Sequence, residues 1–282
     1  MLGAPRSGTN LLRDLLAAFP GAGTWPCDEI NAIWRHGNVG YPTDFLPVAR
    51  LTPAIRRSIT RAFERLALRL EVDVVIEKTC ANCLRVPFVD AVFPDAYYVH
   101  IIRDGRDATA SAIRRWRAPF NLGYTLRKAR YTPLSDVPYY VVRVLANRLH
   151  RLRSSETRLR SWGPRFSELN TILRTHGLAA ACAAQWVQCV RSAEEGLAAA
   201  VDPARVLQIR YEDLVEHPER ALDDLAPRLG LGLDDADDNL DQLVRGVHRD
   251  SIGNWRGVLD AAEYERIAPF LADELARHGY AA

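Results

Sequence analysis

The stretch GAPRSGTN, at residues 3–10, has the glycine spacing of a phosphate-binding loop. In the Walker pattern G-x-x-x-x-G-K-[ST], the loop amides hold phosphate, the lysine contacts the terminal phosphates and the hydroxyl binds Mg²⁺. Gly3 and Gly8 keep the spacing, but Thr9 stands at the lysine position and Asn10 at the hydroxyl position. The sequence therefore predicts a phosphate-like ligand that needs the loop but neither the lysine nor the metal.

Apolar residues at helical spacing follow the loop at residues 11–19, so the loop opens a helix. The free amides at the start of such a helix and the positive end of its dipole both favour a bound anion. Only residues 1–4 remain to form the buried strand that normally precedes a loop of this kind. Either that strand is very short or the natural chain begins upstream of Met1, and we favour the second interpretation.

Further along the chain, short apolar runs alternate with amphipathic stretches. The runs predict buried strands at residues 72–78, 96–107 (ending in a polar turn) and 205–211. The amphipathic stretches predict helices at residues 54–70, 86–93, 109–116 and 179–200. We interpret residues 20–29 as a turn-rich break, and residues 212–219 as a turn before a helix that ends at Leu229. This alternation predicts an α/β fold, a P-loop-like three-layer sandwich with a central parallel sheet flanked by helices.

Length and composition indicate one globular domain over residues 1–282. Its 37 basic residues are offset by 35 acidic ones, which argues against a nucleic-acid partner. Residues 118–174 are rich in arginine and aromatic residues, and we interpret them as a helical insertion that covers the acceptor site. Five cysteines without disulfide spacing favour a cytoplasmic location, and no apolar run is long enough to predict a membrane span. A homodimer is left open.

Polar residues stand where the predicted strands end, at Glu77-Lys78, Arg103-Asp104 and Tyr211-Glu212-Asp213. In parallel α/β sheets, ligands bind at the carboxyl ends of the strands. These three clusters and the first loop are therefore expected to assemble one site.

Four motifs in order, PRSGTNLL, RDGRDATAS, IRYEDL and SIGNWRG, resemble those of the sulfotransferases that use 3′-phosphoadenosine 5′-phosphosulfate (PAPS). The likeness runs from residue 3 to residue 257 and is strongest to the bacterial and tyrosylprotein branch. It implies transfer of a sulfuryl group to a hydroxyl or amine acceptor without metal, leaving the desulfated product PAP. A small molecule, a carbohydrate or a peptide remains open as the acceptor. Because a sulfuryl group is transferred, the resemblance also accounts for the missing lysine and metal-binding hydroxyl.

The resemblance implies a set of nucleotide-binding residues. The phosphosulfate would be held by the loop residues Arg6, Ser7, Gly8, Thr9 and Asn10. The 3′-phosphate would be held by Arg103 and Ser111, and the adenine would contact Tyr211. The C-terminal nucleotide clamp matches Ser251, Trp255, Arg256 and Gly257, although Asn254 stands where relatives often carry Lys or Arg.

The proton acceptor is less directly implied. Cytosolic relatives use the His of a K-T-H pattern, and here that segment is Lys78-Thr79-Cys80. Tyrosylprotein and some bacterial relatives use a Glu after the first helix, which favours Glu29, with Asp28 as the next candidate. A carboxylate there could instead cap a helix, a role that suits Asp28. Lys78 and Arg6 are expected to stabilise the charge that develops during transfer.

Other functions and sites fit the sequence less well. A nucleotide kinase would need the Walker lysine and hydroxyl, whereas a catalytically inactive nucleotide-binding protein would keep the loop and lose turnover. Cys80 and Cys83 form a C-x-x-C without the remaining ligands of a zinc site, so we expect a packed structural pair. His100 is expected to be a hydrogen-bonded histidine in the core or at an edge of the sheet. Arg106 and Asp107 are expected to be surface ion-pair residues of little energetic value.

Overall fold

The computed structural model of the protein describes residues 1–118, 130–142, 162–232 and 238–280. Its strands are β1 (Ala22–Thr24), β2 (Val74–Ile76), β3 (Tyr98–Ile102) and β4 (Val206–Arg210). Strand β1 pairs with β2 and β3 pairs with β4, both in parallel. The start of the chain lies between the two pairs. Leu2 forms a parallel bridge with His100 of β3, and the Met1 amine donates to the Glu77 carbonyl just after β2 (2.8 Å).

Helices connect and cover the strands. They are α1 (Thr9–Leu16), α2 (Asn31–Trp34), α3 (Pro53–Leu70), α4 (Val86–Val92), α5 (Gly105–Arg117), α6 (Leu169–Thr175), α7 (Gly177–Ala200), α8 (Tyr211–Glu216), α9 (Pro218–Leu225), α10 (Asp238–Arg245) and α11 (Ala261–Arg277). Side-chain caps fix several helix starts. Thr52 accepts from the Ile55 amide at the start of α3, and Asp104 accepts from the Arg106 amide at the start of α5.

Strand β3 lies at the centre and is buried along its whole length. Tyr98 and Ile102 pack into an apolar cluster with α4, α5, α7 and α11. Val99 and Ile101 point to the other face, into a cluster formed with α1, α8, α9 and α10. Since alternate residues of a strand face opposite sides, both faces of the sheet are covered by helices. The predicted three-layer α/β sandwich is confirmed.

Some local expectations were wrong in detail. Strand β1 lies inside residues 20–29, which we expected to be a turn-rich break. Helix α5 begins at Gly105 instead of residue 109, because Asp104 caps a first turn that we expected to be irregular. Residues 212–219 are mostly helical, in α8 and the start of α9. Much of the expected insertion at residues 118–174 lies outside the described residues, so its role as a cover stays a prediction.

His100 lies in the core, but its Nε2 has no hydrogen-bond partner among the described residues, so the expectation that its ring is satisfied was wrong for that atom. Its side chain is 1% exposed on β3. Burial, assisted by the nearby His278, lowers the pKa of His100 to about 4. The imidazole is therefore neutral at physiological pH and acts as a core residue of the central strand.

Candidate functional site

The loop at residues 3–10 adopts a backbone conformation that few residue types can take at some of its positions. Arg6 and Gly8 both have positive φ, at 71° and 82°. A Cβ on Gly8 would lie 2.2 Å from a ring carbon of Tyr211, and one on Gly3 would lie 2.6 Å from the Thr9 methyl group. The two glycines of the sequence pattern are thus required by close packing, and at Gly8 by the left-handed backbone as well.

Buried polar atoms in and beside this loop lack partners within the described part of the chain. They are Ser7 Oγ, Asn10 Oδ1 and Arg103 Nε. Ser7 is fully buried, and Arg103 is 6% exposed. Because buried polar groups are nearly always hydrogen-bonded in native proteins, these atoms indicate a polar ligand at the loop.

Two arginines and a serine meet at the same place. The Arg6 Nε donates to Ser111 Oγ (3.0 Å), and an Arg103 amino group donates to the Arg6 carbonyl (3.0 Å). Partial burial, followed by the positive charges of Arg103 and Arg115, lowers the pKa of Arg6. Cations that repel one another beside unpaired donors form a site for an anion with several negative charges.

Tyr211 and Ser251 form the wall next to the loop. The Arg103 guanidinium lies 4.4 Å from the centre of the Tyr211 ring, and the Tyr211 and Ser251 hydroxyls are 2.5 Å apart. Arg103 also donates to the Ser251 carbonyl. The structure thus brings together the first, second and third motifs and the start of the fourth, although they are far apart in sequence.

Residues 251–257, which we call the clamp loop, pack on the start of α5. The Trp255 ring stacks on Tyr264 with ring centres 5.0 Å apart, and the guanidinium groups of Arg106 and Arg256 lie 5.1 and 4.7 Å from its centre. Arg256 and Gly257 are themselves exposed at the end of this loop. The Trp255 ring thus contacts side chains of both α5 and α11, and its role in nucleotide binding stays a prediction.

The expectation that Arg106 and Asp107 are surface ion-pair residues was wrong. They are only 6% and 3% exposed. Arg106 pairs with Asp104 at 2.7 Å, and Asp107 accepts hydrogen bonds from two amides of the clamp loop. Sequence reasoning missed Asp107 because its partners lie far along the chain; the only available signal was its place in the first turn of a helix after a strand.

A second polar group lies beside the loop, where β2 ends. Lys78 Nζ is 3.5 Å from Glu29 Oε1, and the Cys80 amide donates to the same oxygen (3.3 Å). The Lys78 side chain is 5% exposed and that of Glu29 is 25% exposed. Burial alone would lower the pKa of Lys78, but the Glu29 carboxylate, with smaller effects of Cys80 and Asp28, raises it overall. Lys78 is therefore a fixed positive charge.

The segment that carries Glu29 is held to the end of β2. The Ile30 amide donates to the hydroxyl of the buried Thr79 (3.2 Å), one residue after Lys78. Helix α2 starts at Asn31, and its N-cap residue is Ile30 without a side-chain cap. Neither Asp28 nor Glu29 caps a helix, so the capping alternative for this acidic pair was wrong.

The cysteines of the C-x-x-C are packed as expected. Cys80 and Cys83 are buried and unpaired as thiols, in a 3-10 helix at Cys80–Leu84. The Gly3 amide donates to Cys83 Sγ (3.1 Å), and Cys80 Sγ is 3.9 Å from Thr9 Oγ1. Burial, reinforced by Glu29, raises the pKa of Cys80. A neutral thiol at this position cannot take the role of a proton acceptor at physiological pH.

Comparison with protein families gives one match that spans most of the chain. A family model described as the sulfotransferase family matches residues 1–162 and 164–235. Curated proteins of Mycobacterium bovis and Mycobacterium tuberculosis, both named omega-hydroxy-beta-dihydromenaquinone-9 sulfotransferase Stf3, are 25% identical over 229 residues. The alignments cover 76% of this chain and 47% of theirs, so the chain spans about half the length of these relatives.

Solved structures share the fold. The sulfotransferase domain from the curacin biosynthetic pathway has a TM-score of 0.53 and 16% identity, and covers 96% of this chain and 95% of its own. A sulfotransferase from Alicyclobacillus acidocaldarius has a TM-score of 0.51 and 16% identity, and covers 100% of this chain and 95% of its own. At these identities the likeness concerns the fold. No helix in the described ranges is both long and apolar enough to cross a membrane.

Proposed function

The chain belongs to the sulfotransferase family, and we propose that it transfers a sulfuryl group from PAPS to a hydroxyl or amine acceptor. The observation that carries this proposal is the anion site at the loop. Arg6, Arg103 and Ser111 meet there, beside the buried and unpartnered hydroxyl of Ser7. Such a site suits a ligand with phosphate groups.

The loop residues fit the donor without a metal. When bound, PAPS supplies the sulfuryl group and a phosphate leaving group. Ser7 and the loop amides would hold the phosphosulfate, and Arg103 with Ser111 would hold the 3′-phosphate. Thr9 and Asn10 occupy the positions where a kinase needs its lysine and metal-binding hydroxyl. The same two residues disfavour the kinase alternative.

Glu29 and Lys78 provide the reacting groups on the acceptor side. We propose that Glu29 takes the proton of the acceptor and that Lys78 stabilises negative charge on the departing phosphate. Their contact at 3.5 Å supports this pairing, since it places a carboxylate and an ammonium group side by side next to the loop. Arg6, on the loop, would share the charge stabilisation.

The acceptor is proposed only as a class. The mycobacterial relatives are named for a hydroxylated menaquinone, so an alcohol is our first choice. Residues 130–142 lie next to this side of the site, because the Tyr131 ring packs edge-on against Trp25 (5.4 Å) and Asp136 pairs with His36 (2.8 Å). We propose that this segment borders the acceptor pocket.

The proposal is tested by incubating the purified protein with sulfur-labelled PAPS and a panel of alcohols, phenols and amines. We expect a labelled product by mass spectrometry, equal turnover with Mg²⁺ and with excess EDTA, and a higher melting temperature with PAP. Binding of PAP without transfer to any acceptor would favour the catalytically inactive alternative. Activity that EDTA abolishes and Mg²⁺ restores would contradict the proposed metal-free mechanism.

A further inference from the structure

Asp107 joins two parts of the anion site that lie far apart in sequence. It belongs to the first turn of α5, four residues after Arg103, and is 3% exposed. One of its carboxylate oxygens accepts from the Gly253 amide (2.7 Å), and the other accepts from the Trp255 amide (2.8 Å). We propose that Asp107 is a positioning residue, which holds the clamp loop at residues 251–257 in its nucleotide-binding place before the donor arrives. This inference rests on the proposed function.

The backbone of the clamp loop explains why an acceptor is needed there. A short 3-10 helix, Asn254–Gly257, begins directly after Gly253, which has a φ of 70°. The first amides of a helix have no partner within the helix, and this helix has no side-chain cap at its own N-cap residue. Asp107 supplies the missing acceptors from another element, and a negative charge at a helix start is itself favourable. The Asp107 carboxylate thus fixes both the position of the clamp loop and the orientation of its short 3-10 helix.

Further contacts link this loop to the proposed phosphate ligands. Arg103 donates to the Ser251 carbonyl and lies 3.8 Å from Asp107. Ser251 in turn bonds to Tyr211 through their hydroxyls. A shift of the loop therefore moves a carbonyl that orients Arg103 and a hydroxyl that orients Tyr211. Asp107 acts on nucleotide affinity through these neighbours, without touching the nucleotide itself.

Removal of Asp107 has two opposing effects on nucleotide affinity. Loss of its negative charge makes the site more positive, which by itself favours a polyanion. Loss of its two hydrogen bonds releases the loop, which must then be ordered at the expense of binding. Hydrogen bonds to a charged group are each worth about a factor of ten or more, so we expect loop release to dominate. The dissociation constant of PAP should rise about tenfold or more in Asp107→Ala.

Asp107→Asn separates the two effects, because the amide keeps one acceptor oxygen while the charge is lost. If Asp107 positions the loop, affinity falls in both variants and exchange becomes faster in both, but the effects are much larger in Ala than in Asn, which loses only one of the two hydrogen bonds. If Asp107 acts only through its charge, the Ala and Asn variants have the same affinity for PAP, and that affinity is at least as high as in the wild type. A matched control is Asp260→Ala, because Asp260 caps α11 through the Glu263 amide (2.7 Å) and is exposed.

The experiment measures PAP binding by calorimetry and, without nucleotide, hydrogen exchange of peptides that cover residues 251–257. We expect faster exchange of this segment in Asp107→Ala, and wild-type exchange and affinity in Asp260→Ala. Unchanged exchange and unchanged affinity in Asp107→Ala would overturn the inference. If Asp107→Ala does not fold, Asp107→Asn decides, and wild-type exchange and affinity in that variant would also overturn it. Failure of the wild type to bind PAP would instead refute the proposed function.

Discussion

The proposed base is tested by replacing Glu29 with glutamine. Gln keeps the size of the side chain and can still accept from the Cys80 amide, but it cannot take a proton from the acceptor. General-base catalysis contributes typically 10²–10⁴-fold, so kcat should fall by about that factor. At about 1.4 kcal/mol for each factor of ten, this corresponds to roughly 3–5 kcal/mol in the activation free energy. The affinity for PAP should barely change.

The same substitution removes the partner of Lys78, and that effect must be kept apart from catalysis. Breaking a fully buried ion pair costs about 3–5 kcal/mol, whereas an exposed pair contributes about 0–1 kcal/mol. With Lys78 at 5% exposure and Glu29 at 25%, we expect a loss of about 1–3 kcal/mol. Domains are stable by roughly 5–15 kcal/mol, so the variant stays mostly folded and unfolding cannot account for a hundredfold loss of turnover.

The assay combines turnover of labelled PAPS with thermal unfolding. Glu29→Gln should lose most of the turnover while thermal unfolding shows that the variant is folded. The matched control is Asp28→Asn, which changes the neighbouring carboxylate and should keep near-normal turnover. Normal turnover in Glu29→Gln with loss in Asp28→Asn would move the base to Asp28, and normal turnover in both would refute a protein base in this segment.

Two further predictions concern affinity and stability. Arg103→Ala should weaken PAP binding about tenfold to a hundredfold, since bonds to charged groups contribute roughly 1.5–3 kcal/mol, and Ser111→Ala should weaken it less; unchanged affinities in calorimetry would remove both from the nucleotide site. In the unfolded state, His100 takes up a proton as the pH falls below about 6.5. In the native state its imidazole stays neutral until the pH approaches its pKa of about 4. The free energy of unfolding should therefore fall by about 2 kcal/mol between pH 7 and pH 5 on account of this residue. Denaturant titrations should show a shallower fall in His100→Gln, and an identical fall in both proteins would show that His100 titrates normally.

The local features of the fold were predictable from the sequence because they depend on neighbours in the chain. Gly3 and Gly8 predict a loop with an unusual backbone conformation, and the helical spacing of the apolar residues after it predicts α1. The continuous apolar run of β3 indicates a strand buried on both faces. Strand β1 was missed because it has three small residues, Ala22–Thr24, among glycines and prolines, and only its pairing with β2 makes it a strand.

The site itself was predictable as a set of residue types but not as an arrangement. Arg6, Arg103 and Ser111 were grouped by motif, while the tertiary structure decided that Arg6 donates to Ser111. The contact of Glu29 with Lys78 joins a residue in the segment before α2 to one just after β2, 49 positions apart, so no local spacing in the sequence predicts it.

Asp107 shows most clearly which contacts cannot be predicted from the sequence. From the sequence it was one carboxylate in a charged turn, with the same local pattern as a surface residue. Its function as a partner of the clamp loop follows only from the packing of α5 against residues almost 150 positions away. A short-range pattern fixes backbone conformation, because φ and ψ depend on adjacent residues. Which polar groups are buried together depends on how the layers close, and that is decided by the tertiary structure.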